Sequence, residues 1–268
     1  LVEAALALDA EGRFTGLRVE TLYGLGAYIA PLGTGPAINN LGGLAGVYRT
    51  PAIHVAVRGV LTNQNPTAPY RGAGRPEASY ILERLVETAS RRLGIDPIEL
   101  RRRNMIAPEE MPFRTGLTFT YDCGEFEAQM EEALRHFDRA AAAERSKALR
   151  KSGRLHGIGY AAVIERSTMP GSFEAVQIRV TGTGDVLVLA GATDQGQGHA
   201  TMYARVVADR LGVDDAKIRV IEGDTARLAN GGMTGSSRVA AMGSAAASAA
   251  AQKIVDNRSR IAAHALEA

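Results

Sequence analysis

The sequence predicts an α+β fold built as two mixed halves, on three observations. Strand-like stretches with alternating apolar residues recur between longer stretches with helical apolar spacing, so neither element type dominates. The pattern changes and restarts around residues 151–153, which divides the chain into 1–150 and 151–268. The composition is 46% hydrophobic and 22% charged, enough apolar material for packed cores, and 30 glycines without a tryptophan suggest tight turns and close backbone approaches.

In the first half, residues 2–8 alternate, residues 9–12 (DAEG) form a turn, and residues 13–22 alternate again, which predicts a β-hairpin. Residues 24–46 are Gly-rich and Pro-punctuated, with a short helix near 37–44. Residues 52–61 predict a strand, followed by a loop of turn residues. From Glu77 to Leu93 the apolar positions Ile81, Leu82, Leu85, Val86, Ala89 and Leu93 keep helical spacing, and Gly94 suits the C-cap. Asp96 followed by Pro97 is an N-cap and first-turn proline, starting a helix that runs to about Asn104. A further helix is expected over 125–150.

In the second half, strands are expected at 155–166, 173–181 and 185–191, the last two joined by a turn at 182–184. A helix from Gly198 to Leu211, a strand over 217–222, a Gly-rich stretch over 223–235 and an alanine-rich helix from Ser236 to Glu267 complete the order.

Charge and cysteine content exclude several classes. The formal net charge is +2 and the basic residues are scattered, which argues against a dedicated nucleic-acid surface. The densest basic run, Arg101 to Arg103, suits a solvated helix face. The single cysteine, Cys123, precludes an internal disulfide, an iron–sulfur cluster or a thiolate zinc site in this chain. A reducing, cytoplasmic setting is the expectation; no signal peptide or membrane-length apolar run is seen. Leu1 opens in strand pattern and Ala268 closes in a helix-like run, so the chain reads as a piece of something longer.

Three Gly-rich loops each enter a helix. In GATDQGQGHAT (191–201) a strand runs into glycines and then a helix start, whose free amides and dipole attract anions. Gln195 and Gln197 add amides that both donate and accept. The plain alternative is flexible turn chemistry with His199 merely near a cap. The spacing matches neither the P-loop, since no lysine is present, nor the dinucleotide fingerprint. In PYRGAGRPE (69–77) two arginines, Arg71 and Arg75, could clamp an anion, or simply be solvated in a turn. In NGGMTGSSR (230–238) Thr234 or Ser236 reads as an N-cap to the alanine-rich helix. One anionic ligand clasped from several sides would account for all three loops.

Together these stretches resemble the large, molybdopterin-binding subunit of the molybdenum hydroxylases, the xanthine dehydrogenase and aldehyde oxidase family, nearest to chains like the aerobic carbon monoxide dehydrogenase large chain. GATDQGQGHAT, PYRGAGRPEA (69–78), IRVIEGDT (218–225), MTGSSR (233–238) and RRLGIDPIELRRRNMI (91–106) carry the resemblance, in order across the chain. It implies a molybdopterin cytosine dinucleotide whose dithiolene holds the molybdenum, so no protein metal ligand is expected. It further implies that Gly196, Gln197, Gly198 and His199 line the cofactor, that Thr234, Gly235, Ser236, Ser237 and Arg238 line another side, and that Arg71, Gly72, Ala73 and Gly74 form the loop beside the metal.

The resemblance also implies partners: an iron–sulfur small subunit, an FAD medium subunit and the remaining large-subunit segments. Carbon monoxide dehydrogenases carry Tyr-Arg-Cys-Ser-Phe-Arg in the metal-side loop, where the cysteine holds copper; Gly72 stands there here, which argues against copper and CO oxidation. Ala73 replaces the phenylalanine that xanthine dehydrogenases pack on flat heterocycles. The family's upstream Gly-Gly-Gly-Phe-Gly motif and downstream Gly-x-Gly-Glu base are not in the sequence, so no catalytic residue is expected in it. Glu77, Asp194, Glu222 and Asp224 are the acids near the loops; Glu222 and Asp224 are expected to orient them. The expected function is cofactor binding within a hydroxylase acting on an aldehyde or N-heterocycle with water-derived oxygen, with the piece inactive alone. The competing expectation is a scaffold or truncated module that holds no metal.

Overall fold

A computed structural model describes residues 1–168, 172–228 and 230–267. The chain divides into two compact units, Leu1–Glu165 and Arg166–Ala268, each described by itself. Among the described residues, no helix is long and apolar enough to cross a membrane.

The first unit opens on the predicted hairpin. β1 (Val2–Leu8) pairs antiparallel with β2 (Phe14–Gly26). The turn is set by Asp9, whose carboxylate accepts from the Glu11 and Arg13 N–H groups at 3.1 and 2.7 Å. The short helix α1 (Gly35–Gly43) follows, and β3 (Ile53–Leu61) then lies parallel to β2. The helix α2 (Arg75–Leu93) buries Ile81, Leu82 and Val86 against Leu17, Val19, Leu44 and Tyr48. Gly94 ends it in the left-handed conformation, φ 68°. Next, α3 (Pro97–Asn104) starts at Asp96, whose side chain accepts from the Ile98 and Glu99 N–H groups.

Arg101 departs from the expected solvated face. Only 1% of it is exposed, and it donates to Glu83, to the Pro97 carbonyl and to the Tyr160 carbonyl, while Tyr48 donates to the other Glu83 oxygen at 2.6 Å. A buried cation needs such a full set of acceptors. A small hairpin, β4 (Phe113–Arg114) and β5 (Thr120–Tyr121), follows.

Two expectations are corrected here. The helix over 125–150 is two helices, α4 (Phe126–Arg135) and α5 (Arg139–Lys151), because Asp138 caps a new start on the Ala141 N–H. Residues 155–166 are not a strand: they alternate exposed and half-buried positions, yet pair with no strand among the described residues. Their apolar members, Ala162 and Ile164, pack on the core while the Tyr160 carbonyl is held by Arg101. Alternation reports side-chain burial; a ladder also needs a neighbour.

The second unit holds β6 (Val176–Val180) antiparallel to β7 (Val186–Ala190), the helix α6 (His199–Leu211), and β8 (Ile218–Glu222) parallel to β7. Val188, Tyr203 and Val207 are fully buried, and Ala247 and Ala251 of α7 (Ser244–Ala265) pack on the same core. Alanines four apart let α7 approach α6 closely. The alanine-rich helix does not begin at Ser236, as expected: Ser236 and Ser237 are left-handed, and a π-helical turn, Val239–Gly243, precedes α7. Within the Gly-rich stretch 223–235, Ala229 lies outside the described residues.

Candidate functional site

β7 and β8 run parallel and end at the paired residues Ala190 and Glu222, so the loops that leave them emerge from the same carboxyl edge. Ligands of α/β sheets sit at such edges. Glycine explains how closely the two loops meet there. A Cβ on Gly191 would lie 2.3 Å from the Gly231 Cα, and one on Gly231 would lie 2.6 Å from the Gly191 oxygen. Thr234 completes the join by donating its hydroxyl to the Thr193 carbonyl at 2.6 Å and accepting the Thr193 N–H at 3.1 Å. Thr234 is therefore a tie between loops, and neither it nor Ser236 is the expected N-cap; the π turn has no side-chain cap.

The loop 191–198 shapes itself. The Asp194 carboxylate accepts from the Gly196 and Gln197 N–H groups at 2.9 and 2.7 Å, and the Gln197 side-chain oxygen accepts from the Gln195 N–H at 2.6 Å. Slight desolvation would raise the exposed Asp194 carboxyl, but the Gln197 and Gly196 N–H groups outweigh it and hold it below the ordinary carboxylate range. Gly196 and Gly198 have φ of 103° and 77°, and a Cβ on either would meet nothing within 4 Å. Among the described residues nothing fills the space a side chain would take there, and α6 begins directly after Gly198 without a side-chain cap.

Buried polar groups lie under these loops. His199, the first residue of α6, is 6% exposed, and its Nδ1 lies 3.0 Å from Glu222 Oε1 at the end of β8. Burial pushes the Glu222 carboxyl above its ordinary value, with Asp194 and Glu174 adding to the shift and His199 opposing it. Arg238 makes a buried ion pair with Glu174 at 2.9 Å and donates to the Met233 and Phe173 carbonyls at 2.7 Å each. The Tyr203 hydroxyl is buried without a hydrogen-bond partner among the described residues, and burial together with Glu174 and Glu222 pushes it far above its usual range. Gly243 leaves room for that hydroxyl, since a Cβ there would sit 2.4 Å from it. Asp224 turns its own loop, accepting from the Ala226 N–H at 3.0 Å.

The loop 69–77 belongs to the first unit. The Tyr70 carbonyl accepts the Ala73 N–H and the Gly72 carbonyl accepts the Arg75 N–H, each at 2.8 Å, with Gly72 and Gly74 at φ 84° and 89°. This is the tight glycine turn the sequence implies, and it delivers the chain into α2. Of the two arginines read either as an anion clamp or as solvated turn residues, Arg71 is exposed, whereas Arg75 is buried, 3.0 Å from Glu165 and over the Phe119 ring.

The structure thus joins Gly196–His199 with Thr234–Arg238 in one unit and describes Arg71–Gly74 in the other. Sequence reasoning did not single out Thr193 or Glu174, whose partners lie 41 and 64 positions away, with no local pattern to mark them. An apolar groove of about 440 Å³ lined by Met105, Phe126, Met130 and Phe137 contains none of the predicted site residues. Among the described residues, no three His, Cys, Asp or Glu side chains cluster as metal ligands.

A parallel-strand edge with glycine loops beside an uncapped helix start is the kind of place where α/β folds take anionic ligands. Comparison with known proteins names the class. A family model for the molybdopterin cofactor-binding domain matches residues 132–268, and a second of the same description matches residues 1–105. The chain belongs to this family, within the large subunits of molybdenum hydroxylases.

The 6-hydroxypseudooxynicotine dehydrogenase complex subunit gamma of Paenarthrobacter nicotinovorans is 33% identical over 98% of the chain and 34% of its own length. The carbon monoxide dehydrogenase large chain of Hydrogenophaga pseudoflava is 34% identical over 99% of the chain and 35% of its own length. The solved quinoline 2-oxidoreductase of Pseudomonas putida 86 superposes with a TM-score of 0.89 at 29% identity, covering 100% of this chain and 36% of that one. The chain spans about a third of the length of these relatives.

Proposed function

We propose that the chain supplies the cofactor cradle of a molybdenum hydroxylase that acts on an aldehyde or N-heterocycle with water-derived oxygen. The observation that carries this is the open glycine edge: Gly196 and Gly198 leave room above a helix start that no side chain caps, with the loop 230–238 stitched alongside. A molybdopterin cytosine dinucleotide suits that donor set, because its pyrophosphate and pterin call for backbone N–H groups and amides rather than cysteine ligands. When bound, it supplies the redox centre.

In this reading Gly196, Gln197, Gly198 and His199 hold one side of the cofactor. Thr234, Gly235, Ser236 and Ser237 hold another, with Arg238 bracing that loop from within. Arg71, Gly72, Ala73 and Gly74 serve the metal side. Residues 1–150 and 151–268 then belong to the first and second molybdopterin-binding domains. The general base lies outside the 268 residues. Electrons leave through an iron–sulfur subunit and an FAD subunit, in the cytoplasm.

The N-heterocycle reading draws support from the likeness to a quinoline oxidoreductase, and Gly72 in the metal-side loop argues against copper-dependent CO oxidation. Gln197→Ala removes the oxygen that accepts the Gln195 N–H and should lower the molybdenum retained by the full polypeptide, read by metal analysis. Unchanged molybdenum in that variant refutes the role given to Gln197.

A further inference from the structure

His199 and Glu222 are brought together by the fold rather than by sequence. His199 opens α6, Glu222 closes β8, and β8 is held in register beside β7 by the Ala190–Glu222 pairing. Both side chains are largely buried, at 7% and 12% exposure, and the contact uses Nδ1. That leaves Nε2 as the ring nitrogen outside the pair. The titratable and charged groups near Glu222 are His199 and Asp194 from the loop and helix start, and Glu174 from the segment before β6. Tyr203 of α6 and Arg238 before the π turn complete the cluster.

We propose that Glu222 is a positioning residue that acts through His199, fixing the ring and its proton so that Nε2 presents an N–H to the anionic cofactor. This rests on the cofactor reading above. The chemistry follows from the proton count. When the pair carries the extra proton, either as imidazolium with carboxylate or as neutral imidazole with carboxylic acid, Nε2 bears hydrogen and donates. When that proton leaves, the carboxylate keeps the Nδ1–H and Nε2 becomes a bare acceptor, which repels an anion. Retention of the cofactor therefore weakens as pH rises. A carboxylate that orients an imidazole in this way resembles the outer-layer partners of ligand histidines.

The test uses the full polypeptide in its assembled enzyme and follows molybdenum and pterin retained through timed dialysis from about pH 6 to 9. Glu222→Ala should speed cofactor loss about tenfold. Glu222→Gln should keep retention near the wild-type value and flatten its pH dependence, because the amide can donate to Nδ1 and leave hydrogen on Nε2 at every pH. In a His199→Ala background, Glu222→Ala should have no further effect. Equal losses in both backgrounds, or a Glu222→Gln variant whose pH dependence matches the wild type, overturn the proposal. If Glu222→Ala does not fold, the Glu222→Gln pH profile decides alone. A wild type without molybdenum, from cells able to make the cofactor, overturns the cofactor reading and this proposal with it; additive losses from a loaded wild type overturn the positioning role alone.

Discussion

Gly191 and Gly231 show at residue scale why composition was informative and where it stopped. The abundance of glycine announced close backbone approaches, and the structure shows one: these two residues meet where any Cβ would collide with backbone. Gly191→Ala is expected to force the loops apart, costing about 1–3 kcal/mol by overpacking and lowering cofactor retention; urea unfolding and metal analysis read the two effects. What composition could not show is which charges meet. Arg101 sits in a run of three arginines that suits a solvated face, yet it is fully buried against Glu83. Arg101→Ala would strand the Glu83 carboxylate, and should cost about 3–5 kcal/mol in urea unfolding, as for other broken buried pairs. His199–Glu222 and Arg238–Glu174 are equally invisible in sequence, because their members are 23 and 64 positions apart.

Elements were legible where local chemistry sets them. The Asp96-Pro97 start, the Gly94 stop and the hairpin expected over residues 2–22 all stand, the second strand running on to Gly26. They were missed where the deciding partner is distant. Residues 155–166 have the alternation of a strand and lack a ladder neighbour among the described residues, and the stretch 236–243 looks helical by alanine content but opens with left-handed serines and a π turn. The Asp96 cap gives a pH prediction. Burial would raise its carboxyl, but Arg139 and the Glu99 and Ile98 N–H groups prevail and hold it below the ordinary range. Its contribution is therefore present above the ordinary carboxylate range and is lost as pH falls through the lowered value. Asp96→Ala should cost about 1 kcal/mol at neutral pH, and urea unfolding should show the gap closing below about pH 4.

At the scale of the whole molecule, the same order appears twice. A hairpin, a helix, a strand parallel to the hairpin's second strand and a long helix make up β1-β2-α1-β3-α2 in one unit and β6-β7-α6-β8-α7 in the other. In each, the loops after the second and third strands are laced together: Thr62 and Ala27 exchange backbone bonds with Gly26 and Gln64 in the first unit, and Thr193 bonds Thr234 in the second. The α+β class was plain from alternating patterns. The recurrence was not, because it is a similarity of topology with no repeated residues to mark it. Its consequence is that each unit presents Gly-rich loops ahead of a long helix. The central claim is that this chain carries a molybdenum cofactor, and its most direct test is metal and pterin analysis of the full polypeptide purified with its partners from cells able to make the cofactor. The account predicts molybdenum and pterin near one each per chain; a clean zero for both would contradict it and would mark the chain as a module that keeps the fold without the metal.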